Sequence, residues 1–171
     1  MLSKKMETAI NNQINAELYS AYFYLNMSAY CEEKSLPGFA NWLNLQAQEE
    51  YAHAMKFYNY LHDRDGKVIL DQIDKPKSGF KNILDVFEQV LEHEKKVTAM
   101  INNLYTLAVK ENDYPSQVML QWFIGEQVEE EKTAKEIVDQ LKWVGDKSTA
   151  LFMLDQKFGR RLDQAAEETS E

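Results

Sequence analysis

The sequence predicts an all-α fold: a four-helix bundle with one long crossover and a short fifth helix. Three observations predict it. Glycine and proline are scarce, six and three in 171 residues, and the long stretches between them repeat apolar residues at helical spacing. Two of the interhelical connections are short and one is long. Buried-type polar residues also recur in register, because Glu17, Glu50 and His53 are matched by Glu94, Gln127 and Glu130. The step from Glu17 to Glu50 is 33 residues, as is the step from Glu94 to Gln127.

The first helix spans about residues 3–33, with Ile10, Ile14, Glu17, Ala21, Tyr24 and Ser28 along one face. The second spans about 36–63. Ser35 is its expected N-cap and Pro37 sits in its first turn, where a missing N–H costs nothing. Its inner face reads Phe39, Leu43, Gln46, Glu50, His53, Phe57 and Leu61. The third, about 82–111, carries Ile83, Phe87, Val90, Glu94, Val97, Ile101, Leu104 and Ala108. The fourth, about 114–143, follows the start signal Asp113 and Pro115. It carries Leu120, Phe123, Gln127, Glu130, Ala134, Ile137 and Leu141. A short helix over about 147–158 has the apolar stripe Leu151, Leu154 and Phe158. It is too short to stand alone and must pack on something. The polar tail, 159–171, is expected to fray. The whole chain, 1–171, reads as one domain.

A connection of a few residues makes the first and second helices antiparallel neighbours, and likewise the third and fourth. The crossover over about 64–78 differs. Its roughly 14 residues reach about 46 Å when extended, and a helix of about 27 residues is roughly 40 Å long. The crossover can therefore traverse the bundle, so that the third helix runs parallel to the second. Val68, Ile69 and Leu70 give it apolar surface to bury on the way.

Composition narrows the function. Apolar residues make up 44% and charged residues 27%, which excludes a disordered chain. No apolar run approaches the roughly 18 residues of a membrane-spanning helix. The net charge of -9 disfavours nucleic acid and suits cations. The lone Cys31 and the absence of an apolar leader in Met-Leu-Ser-Lys-Lys-Met-Glu fit a reducing, cytoplasmic setting.

The matched polar residues are more than surface charge. Glu50 and His53, like Gln127 and Glu130, are spaced i, i+3 and share a helix face. Four helices can thus aim six polar side chains at one point, which is how di-iron carboxylate sites are assembled inside four-helix bundles. An ionised carboxylate buried alone costs several kcal/mol or more, and four would repel one another. No Lys or Arg shares those faces, so a divalent cation, or two, is the economical partner. Oxygen-rich ligation with one imidazole and no thiolate suits iron or manganese, with zinc as a competitor.

The neighbours carry open alternatives. Glu49, Glu126 and Glu129 read equally well as a solvated acidic face or as an adjoining iron site. Tyr24, two turns beyond Glu17, is either a core tyrosine with a bonded hydroxyl or an electron donor. Trp122 reads as a core aromatic before an electron donor, His62 as a surface histidine, His93 as a surface histidine before a partner of the neighbouring Glu94, and Cys31 as a small buried or interface residue. Gly125 weakens the fourth helix by about 1 kcal/mol and is expected to allow close packing beside the site.

Three segments carry a resemblance over nearly the whole chain: Asn15-Ala-Glu17-Leu-Tyr-Ser-Ala-Tyr-Phe-Tyr24, Gln48-Glu-Glu50-Tyr-Ala-His53-Ala and Gln121-Trp-Phe-Ile-Gly-Glu126-Gln-Val-Glu-Glu130-Glu. The sequence resembles the bacterial-type non-haem ferritins. The resemblance implies the ferritin-like bundle, with Glu17, Glu50 and His53 binding a first iron and Glu50, Glu94 and Glu130 a second. Glu50 would bridge the two and Gln127 would lie close by. Glu49, Glu126, Glu129 and Glu130 would form a third site. It further implies oxidation of Fe(II) by dioxygen or peroxide and deposition of a ferric mineral inside a homo-oligomeric cage of 24 subunits, without nucleic-acid or membrane partners. Haem-binding relatives place a methionine between the ligands of the second helix. Here Tyr51 and Ala52 stand there, so no haem is expected. Two readings compete: a di-iron peroxidase or oxidase that stores nothing, and a structural bundle whose glutamates bind ions adventitiously.

Overall fold

The computed structural model describes residues 2–145 and 148–159, and among them there are five α-helices and no strand. Helix α1 (Lys4–Glu33) begins where the Ser3 hydroxyl accepts the Met6 N–H at 3.2 Å, satisfying one of the free amides of the first turn. Helix α2 spans Pro37–Asp63. Helix α3 (Ile83–Lys110) starts where Asn82 accepts the Asp85 N–H at 2.9 Å. Helix α4 (Tyr114–Val144) is capped by Asp113, and α5 spans Ser148–Gly159. Gly159, expected in the tail, closes α5. Lys147 and the remainder of the expected tail lie outside the described residues.

The N-cap expected at Ser35 is not found. Ser35 has φ 56° and terminates α1. Its left-handed turn lets the Leu36 N–H reach back to the Cys31 carbonyl at 3.0 Å, the long-range bond of a Schellman closure. Asp65 and Asn112 end α2 and α3 the same way, with Gly66 N–H to Leu61 O at 2.8 Å and Asp113 N–H to Ala108 O at 2.9 Å. With its own cap position lacking a side-chain bond, α2 takes one from α5, because the buried Asp155 carboxylate accepts the Phe39 N–H at 2.9 Å. Gly38 makes this approach possible. A Cβ there would stand 1.7 Å from the Asp155 carbonyl oxygen.

The core forms two apolar clusters. One joins Phe23–Cys31 of α1, Phe39–Ala47 of α2, Ile83–Val90 of α3, Ala134–Leu141 of α4 and Leu154 of α5. The other joins Met6–Ile14, Phe57 and Leu61, Val97–Ala108, and Leu120 with Phe123. Late α1 thus meets early α2, early α3 and late α4. Neighbours within each hairpin run antiparallel, and α3 runs parallel to α2, as the crossover length predicts. Between the clusters, all four helices leave a seam at residues 14–23, 47–57, 90–97 and 123–134.

The crossover is held differently than expected. Ile69 and Leu70 are exposed, and only Val68 of that apolar patch packs on the bundle. Polar bonds from α1 do the rest. Asn11 donates to Lys67 O and accepts from Ile69 N–H, Asn15 donates to Asp71 O and Gln72 O, and Asn26 donates to Lys77 O. Asparagine suits the task because its amide carries both donors and acceptor and so can mimic a backbone partner.

Candidate metal centre

The seam is where the polar residues meet. Glu17 from α1, Glu50 and His53 from α2, Glu94 from α3, and Gln127 and Glu130 from α4 are all buried there. Glu17, Glu50 and His53 each bring one ligand-capable atom within 4.8 Å of the others. Among the described residues this is the group of three or more His, Cys, Asp or Glu side chains gathered that closely. Two oxygens in it, Glu17 Oε2 and Glu50 Oε2, are buried without a hydrogen-bond donor. Burial of an acceptor without a partner costs roughly 1–3 kcal/mol, more if it is charged. Two buried carboxylate oxygens without a hydrogen bond, one of them 3.5 Å from His53 Nδ1, make a donor set that fits a cation.

Three of the four carboxylates are held by a glutamine amide. Gln13 donates to Glu17 Oε1 at 2.9 Å. Gln46 donates to Glu130 at 3.1 and 3.3 Å. Gln127 donates to Glu94 Oε2 at 3.1 Å, and the wholly buried Tyr24 donates its hydroxyl to Glu94 Oε1. Gln13 and Gln46 were not singled out as site residues from sequence. Gln13 lies four residues before Glu17 and Gln46 four before Glu50, so the signal available was a polar side chain one turn upstream on the buried face.

Electrostatics follow from this crowding. Burial raises the pKa of Glu17 and Glu50 well above the usual carboxylate range, and each is raised further by a neighbouring carboxylate, Glu50 for the first and Glu94 for the second. Glu94 is also raised by burial, against the lowering effect of the Tyr24 and Gln127 bonds. Glu130 is pushed up to about 7, by burial first and by Glu94 next. Without a cation these groups hold their protons more tightly than ordinary carboxyls do. A divalent ion would displace those protons and be held by the charge they leave.

Tyr24 is the buried tyrosine with a bonded hydroxyl that sequence allowed. Trp122 is not a core aromatic, since it is 43% exposed. Its ring meets His53 edge-on at 5.4 Å, and the Lys56 ammonium lies over it, 2.9 Å from the centroid. His93 is not a surface residue either. It bonds the Ser20 hydroxyl at 2.8 Å, packs 4.7 Å from the Phe23 ring, and is held neutral by burial, its pKa lowered to about 4. His62 is exposed and Cys31 buried, as expected. Gly125 faces open space, so close packing beside the site is not its role. Glu49 and Glu126 are half-buried and Glu129 is exposed. The three are not drawn into a close group, although Glu49 acts electrostatically on Glu50 and Glu130.

Comparison with known proteins agrees with this geometry. The family model described as a ferritin-like domain matches residues 7–144. A bacterial non-heme ferritin from Bacteroides fragilis is 42% identical over 161 residues, covering 94% of this chain and 100% of its own. One from Campylobacter jejuni is 42% identical over 156 residues, covering 91% and 93%. Among solved structures, an open-pore ferritin from the hyperthermophilic archaeon Archaeoglobus fulgidus superposes with a TM-score of 0.93 at 43% identity, covering 94% of this chain and 99% of its own. With the family model matched over residues 7–144 and relatives at 42% identity over nearly the full length of both chains, the chain belongs to the ferritin-like domain family.

Proposed function

We propose that this protein stores iron and oxidises it on entry. Fe(II) is the substrate. Glu17, Glu50 and His53 take one ion, and Glu50, Glu94 and Glu130 take a second, with Gln127 beside it. Each ferrous ion gives up one electron, and dioxygen or peroxide accepts the pair. The metals supply the redox chemistry, while the protein supplies geometry and charge. Buried carboxylates favour the product because a ferric ion gains more from negative neighbours than a ferrous one.

The observation that carries this reading is the pair of buried oxygens without a hydrogen bond, Glu17 Oε2 and Glu50 Oε2, on two carboxylates gathered with His53. Beyond the pair of ions, Glu49, Glu126 and Glu129 with Glu130 hold a third, which feeds or drains the first two. The oxidised iron leaves for the cavity of a homo-oligomeric cage of 24 subunits and deposits as a ferric oxide-hydroxide. The cage is cytoplasmic and binds neither haem, nucleic acid nor membrane. The net charge of -9 per chain draws cations toward it.

The test is aerobic addition of a few hundred Fe(II) per cage, followed by gel filtration with iron detection. Under this reading, ferric iron stays soluble and co-elutes with protein near half a megadalton. Fast oxidation with iron precipitating and protein eluting as a dimer would instead identify a di-iron oxidase that stores nothing. No acceleration of oxidation would leave a structural bundle.

A further inference from the structure

One chain of hydrogen bonds leaves the site and is not used by the oxidation chemistry. Gln127 Nε2 lies 3.1 Å from Glu94 Oε2, 3.3 Å from the Glu94 carbonyl and 3.3 Å from Thr98 Oγ1. The Thr98 hydroxyl in turn lies 2.6 Å from Glu131 Oε1. Thr98 and Glu131 are half-buried, whereas Glu94 and Gln127 are buried.

The direction of each bond is forced. A carboxylate oxygen accepts only, so the single hydroxyl hydrogen of Thr98 goes to Glu131. The Thr98 oxygen can then do nothing but accept from Gln127. An amide has two nearly indistinguishable edges, and the hydrogen-bond partners decide which is which. Turned over, Gln127 would set its oxygen against two groups with no hydrogen to give, the Glu94 carbonyl and the Thr98 oxygen. The arrangement therefore fixes the NH₂ toward Glu94 and leaves the amide oxygen on the opposite edge.

From this we infer that Thr98 and Glu131 are positioning residues for iron oxidation: together they lock the Gln127 amide so that it donates to Glu94 and offers only its oxygen to what enters the site. The inference rests on the iron-oxidising function proposed above. It explains why a glutamine can share a metal pocket with four carboxylates. Its NH₂ neutralises part of the charge on Glu94, and its oxygen is presented as a neutral ligand or as an acceptor for bound water. Outer partners that orient a ligand typically change metal affinity or activity by about 10–100-fold when removed.

The experiment uses the assembled full-length protein with Thr98→Val, Thr98→Ser and Glu131→Leu. Valine keeps the shape and removes the hydroxyl, serine restores the hydroxyl, and Glu131→Leu removes the acceptor from the outer side. Anaerobic Fe(II) titration by calorimetry gives affinity, and stopped-flow oxidation gives KM and kcat. Thr98→Val and Glu131→Leu are expected to weaken Fe(II) binding at the position that includes Glu94 about tenfold and to raise KM by a similar factor. Serine is expected to recover wild-type values, with the thermal midpoint unchanged throughout. Two results overturn the inference while leaving the function intact: a wild type that binds Fe(II) alongside valine and leucine variants equal to it, or a serine variant as impaired as the valine one. A wild type that binds no Fe(II) overturns the functional reading, and this inference with it.

Discussion

Replacing Glu130 with glutamine should stabilise the metal-free protein while crippling it as an oxidase. Glu130 is 9% exposed and its pKa is pushed up to about 7 from an ordinary 4.5. A carboxyl whose pKa is higher in the folded than in the unfolded state favours folding most below its unfolded pKa. That contribution is lost as pH rises through the folded value. The window here runs from about 4.5 to about 7. Each pKa unit is worth about 1.4 kcal/mol, so by pH 8 the charged Glu130 costs the metal-free fold about 3 kcal/mol. Glutamine has the same shape, carries no charge, and can still accept the Gln46 N–H. The Glu130→Gln variant should therefore match wild type at pH 5 and exceed it by about 3 kcal/mol at pH 8, or roughly 6–12 °C for a chain of this size.

The assay is thermal melting of chelator-stripped protein at pH 5 and pH 8, at one protein concentration because assembly makes the midpoint concentration-dependent. Adding a redox-inert divalent ion such as Zn(II) at pH 8 should then stabilise wild type more than the variant. A midpoint difference that does not change between the two pH values would refute the electrostatic argument. So would a variant less stable than wild type at pH 8, because either result means that Glu130 is not a desolvated carboxylate in the metal-free fold.

Other perturbations give equally direct outcomes. Glu50→Ala removes the carboxylate shared by both proposed ions, so stopped-flow oxidation should slow by more than the roughly hundredfold typical of an outer partner. Gly38→Ala forces a Cβ into the Asp155 carbonyl and should unseat α5. The loss of about 2 kcal/mol for Leu154 burial and about 1 kcal/mol for the α2 cap should appear as lost amide-exchange protection in residues 148–159 and at the Phe39 amide, with helical circular dichroism otherwise retained. Ser35→Gly relieves a left-handed residue and should raise stability by about 0.5–1 kcal/mol in a thermal melt. Tyr24→Phe takes a donor from Glu94 and should lower apparent Fe(II) affinity in anaerobic titration by about tenfold.

How far the sequence could be read depends on which signals are periodic. The helices and the seam residues were legible because period and face are local properties: Glu17, Glu50, Glu94 and Glu130 stand out on apolar faces with no cation beside them. Crossover direction was legible from length alone. What failed depended on contacts between segments distant in sequence. Ser35 looks like an N-cap until one sees that α1 needs its left-handed turn and that Asp155, from α5, caps α2 instead. The asparagine ladder of α1 bonds to carbonyls more than fifty residues away, and nothing in Asn11 or Asn15 alone announces it. His93 looked exposed because no other ligand-type residue at helical spacing claims it, yet the α1 aromatics Tyr19 and Phe23 close over it. Trp122 looked buried because tryptophan usually is. It is exposed because its place on α4 lies at the edge of the His53 face.

The position of the carboxylates between two apolar clusters has a consequence for iron handling. At either end of the bundle, dry side chains from all four helices pack against one another, so the seam cannot relax by letting the helices part. The raised pKa values of Glu17, Glu50 and Glu130 are then a property of the scaffold, imposed before any ion arrives. Iron entry competes with protons that those groups hold more tightly than ordinary carboxyls do, and so uptake should be slower and weaker as pH falls toward the ordinary carboxylate range. Gln13, Gln46 and Gln127 limit the cost of this arrangement. Each fixes a carboxylate by a neutral donor, so no lysine or arginine is needed that would compete with the metal. A bundle that used cations for the same purpose would be more stable without iron and less able to bind it.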